Sequence, residues 1–95
     1  MSNKLFDLIR EIMNKEGLKK WTLVIYSGSS DGLCLHEIEK IYVGKKFDPP
    51  LMLALHEIAH AQCSKPEDIY GHNNIWAGKY ERLLRKYLLK IKGIK

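Results

Sequence analysis

"LMLALHEIAH", residues 51–60, sets two histidines and a glutamate inside an otherwise apolar stretch. That stretch is the one best suited to form the core of a 95-residue chain. Burying such polar groups unpaired costs on the order of 2–7 kcal/mol each, so something must offset the cost. "FDPP", residues 47–50, prepares a helix just upstream. Asp48 can cap it, and Pro49 suits its first position. The helix is expected to end near residues 62–64, because Pro66 blocks much continuation.

On that helix His56 and His60 stand four residues apart, one turn along the same face, about 5–6 Å between Cβ atoms. Two imidazoles so placed can bind one metal ion. Glu57 projects to the side, where it reaches a metal-bound water rather than the metal. This is the H-E-x-x-H arrangement of zinc hydrolases. Neutral imidazole matches Zn²⁺ well. The ion lowers the pKa of its water to about 7, and the carboxylate takes the water's proton and later hands it to the leaving amine. Burial of the three polar groups then makes sense, since the metal pairs with each of them directly or through water.

A catalytic zinc takes three protein ligands and keeps its fourth position for water. Cys63, Glu67, Asp68, His72 and Glu81 are the candidates for the third. The metzincin pattern is excluded, because Cys63 and Pro66 stand where it needs glycine and histidine. Cys63 lies a turn beyond His60 and reads as a small core residue. His72 follows a loop and opens the last helix, so the chain can bring it back over the active-site helix. It shares a face with Trp76 and Tyr80. Glu81, on the same helix, is the ligand a compact gluzincin would use.

"HEIAHA" followed by "YGHNNIWAGKYERLL" resembles the SprT-like (Spartan-type) zinc metallopeptidase domain of the zincin superfamily. The resemblance covers roughly residues 38–90, with Gly71, His72 and Trp76 matching in type. Asn73 and Asn74 depart from the family's usual spacing, and the aromatic comes one step late. The resemblance implies zinc held by His56, His60 and His72, with Glu57 as general base. "KIYVG", residues 40–44, looks like the family's strand before the active-site helix. Its placement at a sheet edge, where an extended peptide could pair along it, is an expectation taken from the family.

The rest of the chain frames this helix. Leu5, Leu8, Ile9, Ile12 and Met13 predict a first helix over residues 3–16, stopped by Gly17. "WTLVIY", 21–26, reads as a strand, and "LCLHEIEKIYVG", 33–44, as two strands or one bent strand. A final amphipathic helix is expected over 74–92, with Trp76, Tyr80, Leu83, Leu84, Tyr87, Leu88 and Ile91 on its apolar side. The order predicts one α+β domain over 1–95, a small, mostly antiparallel sheet packed on helices, zincin-like in its HExxH helix. Tyr42, Tyr70 and Tyr80 are candidate donors to an oxyanion. His36 has no obvious partner and reads as structural or exposed.

Charge is unevenly placed. Residues 1–78 carry nine Lys or Arg against ten Asp or Glu, while residues 79–95 carry seven against Glu81 alone. Lys79, Arg82, Lys86 and Lys90 line one side of the last helix, which suggests weak, sequence-independent contact with nucleic acid. No apolar run approaches the ~20 residues of a membrane span. No signal peptide is evident, and Cys34 and Cys63 form no disulfide framework, so a cytoplasmic location without a membrane partner is expected.

Two function classes remain. One is a zinc metallopeptidase hydrolysing protein or peptide substrates with metal-activated water. The other is a non-catalytic, basic, zinc-containing nucleic-acid module. A structural zinc closes its fourth position with another Cys or His, and there Glu57 would have no role. The enzyme class is favoured.

Overall fold

A computed structural model describes residues 4–63 and 72–88. The elements follow in the order α1 (Lys4–Lys15), β1 (Thr22–Tyr26), β2 (Gly32–Leu35), β3 (Lys40–Gly44), α2 (Pro50–Gln62) and α3 (Asn74–Leu83), which continues as a π-helical turn, Leu84–Leu88. Among the described residues the fold is a small α+β arrangement of three helices and a three-stranded sheet.

Helix α1 buries Ile9, Ile12 and Met13, the stripe its periodicity predicts. It stops where expected. Gly17 takes φ 87°, and the Leu18 amide donates back to the Met13 carbonyl at 2.8 Å. A left-handed glycine of this kind satisfies the orphan carbonyls of a helix end.

The sheet corrects two expectations. It is mixed rather than mostly antiparallel: β3 pairs antiparallel with β2 but parallel with β1, in the order β1-β3-β2. "KIYVG" is therefore the central strand and not an edge. Its Ile41 and Val43 are fully buried, which suits a strand flanked on both sides. The cause of the order lies in residues 27–31. Neighbouring strands sit about 4.7–4.9 Å apart, so this link spans two spacings across the end of β3. It is tied there by Gly44 N–H to the Asp31 carbonyl (2.8 Å), Lys45 N–H to the Tyr26 carbonyl (2.8 Å) and Lys46 N–H to the Ser29 carbonyl (2.9 Å). A Cβ at Gly44 would stand 2.4 Å from the Ser29 oxygen, so only glycine lets the loop cross so closely.

Helix α2 runs through the middle of the molecule and touches α1, α3, β2 and β3. Ala54, Leu55, Ile58 and Ala59 have no exposure at all. Its start differs by one residue from expectation. Pro49 is the N-cap, Pro50 is the first helical residue, and no side chain caps the end. Asp48 stands one residue before the N-cap, so it is not at the position that caps the amides of the first turn. The C-terminus at Gln62 falls where Pro66 led us to expect it.

Helix α3 is capped by Asn73, whose side-chain oxygen accepts from the Trp76 amide at 2.9 Å. Trp76 and Leu83 are buried, and Tyr80, Leu84, Tyr87 and Leu88 pack partly against the core. The expected residues 89–92 of this helix, Ile91 and Lys90 among them, lie outside the described residues. No described helix is long and apolar enough to cross a membrane.

Candidate metal centre

Helical period places His56 and His60 on one face of α2, and their rings stand 5.0 Å apart. The turn into α3 brings His72 against them. Its ring lies 4.8 Å from His56 and 5.0 Å from His60. One ligand nitrogen from each of the three falls within 4.8 Å of the others, close enough to hold one metal ion. The His56 and His72 Nε2 atoms are 3.1 Å apart. Tetrahedral ligands at a zinc–nitrogen distance of about 2.0–2.1 Å are separated by about 3.3–3.4 Å, so the observed pair needs little adjustment.

Trp76 backs the trio. Its ring centre is 4.3 Å from His72 and 4.8 Å from His56, and it stacks on His60 at 5.2 Å. Its indole N–H donates to the His56 carbonyl at 3.3 Å. The tryptophan thus ties α3 to the histidine-bearing turn of α2. At the C-terminal end of α2, His36 Nε2 sits 3.0 Å from the His60 carbonyl and 3.2 Å from that of Cys63. Both partners are acceptors, which assigns the proton to Nε2. His36 therefore closes the C-terminal end of α2, with its ring edge-on to Trp21 at 5.7 Å. It is structural, one of the two roles expected for it.

Burial and the neighbouring charges of His60 and His72 lower the His56 pKa to about 4. The imidazole is then neutral at physiological pH, the form a metal ligand must take. Glu57 is only 5% exposed, and its Oε2 lies 4.0 Å from His56 Nε2. It stands beside the trio and is not one of the three clustered ligands. A cleft of about 350 Å³ opens here between Gly32, Leu33 and Cys34 of β2 on one side and His56, Glu57, His60 and His72 on the other. The strand flanking the histidines is thus β2.

The other candidates fall elsewhere. Glu81 pairs with Arg85 at 2.8 Å on the exposed side of α3. Cys63 is buried, as expected of a core residue, and neither it nor Cys34 is in a disulfide. Glu67, Asp68 and Tyr70 lie outside the described residues. Tyr42 alternates with the buried Ile41 and Val43, so it faces away from α2, where it meets Tyr26 at 6.3 Å. Tyr80 lies 5.5 Å from the His56 ring, and burial raises its pKa, which keeps the phenol protonated.

The basic stripe of α3 is partly engaged within the chain. Glu16, its side chain 5% exposed, receives Arg82 at 2.5 Å and Lys86 at 3.1 Å. Tyr87 and Gln62 also donate to it, at 2.5 and 3.0 Å. Nothing in the local sequence around Glu16 announces this cluster, because its partners are 46 to 71 residues away.

No protein-family profile, curated protein or solved structure matches this chain.

Proposed function

We propose that the chain is a zinc metallopeptidase of the HExxH type, similar in its site to SprT-like domains. The observation that carries this is the arrival of His72 beside His56 and His60, with the Glu57 carboxylate next to the trio and outside it. Three histidines suit zinc and leave a coordination position open, as catalytic sites do. Bound there, zinc supplies a Lewis acid and lowers the pKa of water to about 7.

The chain's own residues do the rest. His56, kept neutral by its surroundings, offers a lone pair without first losing a proton. Trp76 fixes the turn that carries it. Glu57, enclosed between α2 and β2, takes the proton of the attacking water and returns it to the leaving nitrogen. The cleft beside β2 receives the substrate, a protein or peptide chain.

Glu57→Gln tests this directly. The variant is expected to keep its fold and its zinc while peptide hydrolysis falls by about 10²–10⁴-fold. Loss of zinc from Glu57→Gln would make Glu57 a ligand, and undiminished turnover would remove it from the mechanism.

A further inference from the structure

Gly32 begins β2 at the wall of the cleft, directly opposite Glu57. A Cβ built on Gly32 would stand 2.6 Å from Glu57 Oε2 and 3.0 Å from its Cδ. Leu53 Cδ1 would stand between these two in distance, at 2.9 Å. Real Cβ atoms do not approach other heavy atoms this closely. The space that glycine leaves is the space the carboxylate occupies.

We infer, on the basis of the peptidase assignment above, that Gly32 is a positioning residue for Glu57. Its missing side chain lets the carboxylate lie against the β2 main chain, beside the three histidines. Glu57 is fixed at its Cα by a buried helix, so its reach is set by which way the side chain can turn. A methyl group at position 32 meets the far end of that side chain, which yields more easily than backbone does. The carboxylate then moves by several tenths of an ångström, while α2, β2 and the histidines stay. Displacements of about 1 Å from reacting geometry cost on the order of 10²-fold in rate. Gly32 is thus needed for where the base sits, and not for holding the metal.

Gly32→Ala is the test. It is expected to bind zinc as the parent does and to lose about 10–100-fold in kcat with KM little changed. In a Glu57→Gln background the same substitution should have no further effect on residual turnover, because it acts only through Glu57. An equal loss in both backgrounds overturns the inference, since Gly32 would then act on substrate or fold. A crystal structure of Gly32→Ala gives a readout independent of activity. A displaced Glu57 carboxylate with unmoved histidines supports the inference even if the parent hydrolyses no peptide, and an unmoved carboxylate refutes it. If Gly32→Ala fails to fold, Gly32→Ala/Glu57→Asp decides. The shorter acid clears the methyl, so folding restored by Glu57→Asp supports the inference, whereas folding restored by Leu53→Ala in its place overturns it, since the decisive clash is then the 2.9 Å contact with Leu53 Cδ1.

Discussion

At His56 the cost of burying an ionisable group is visible as a pKa of about 4 against an ordinary 6.5, set by burial and then by the charges of His60 and His72. The sign follows. Folding favours the neutral ring, so the stability this residue contributes is present above pH 6.5 and is lost as pH falls toward 4. The zinc-free protein is expected to lose stability across that window, at up to about 1.4 kcal/mol per pH unit, as read by urea denaturation. His56→Ala should flatten that part of the profile, and an unchanged slope in the variant would show that the ring does not carry it. The shared face of His56 and His60, with Glu57 beside it, was legible from sequence, because the period of a helix fixes where residues 56, 57 and 60 point. The arrival of His72 beside them was one possibility among several, because a loop of undetermined path decides which residue comes close. Gly32 was not legible at all. A close approach between a strand and a helix far along the chain leaves no local pattern.

The elements owe their order to two tertiary features. The first is the crossing of residues 27–31 over the end of β3. Gly44→Ala should destabilise the protein by about 1–3 kcal/mol or more, since the intruding Cβ meets the backbone oxygen of Ser29. A urea midpoint equal to that of the parent would contradict the account of the strand order. Strands β1 and β3 were readable from their β-branched and aromatic residues, but the parallel partner of β1 was not, because pairing depends on this crossing. The second feature is Glu16. Burial works to raise its pKa, and hydrogen bonds from Arg82, Tyr87, Gln62 and Lys86 together overcome it and hold it at about 2. Here the stability is present above pH 4.5 and is lost as pH falls toward 2. Glu16→Gln should remove that acid-sensitive phase and cost about 1–3 kcal/mol at pH 7, discounted for the half-exposed Arg82 and Lys86. An acid titration with the same low-pH phase in parent and variant would place it elsewhere. Sequence alone marked Arg82 and Lys86 as part of a basic stripe, and their pairing with Glu16 was not legible because it joins residues far apart along the chain.

On the scale of the whole molecule, a chain of this size buries only about 60–65% of its unfolded surface, so an ion bound at the three histidines would contribute to folding as well as to the proposed chemistry. Helix α2 is the element through which both would run, since it holds two of the histidines and contacts the sheet and the other two described helices. Zinc at a hundredfold excess over its dissociation constant adds about 2.7 kcal/mol. In a domain this small, that should raise the melting temperature by roughly 10–20 °C, and a chelator should reverse it. The central claim, that His56, His60 and His72 hold one zinc ion, is tested most directly by metal content after desalting, measured for the parent and for His72→Ala. One zinc per chain in the parent, with a strongly reduced content in His72→Ala at unchanged circular dichroism, is the predicted result. A parent that retains no zinc when it is supplied, or a His72→Ala variant that retains it as fully as the parent, would contradict the claim.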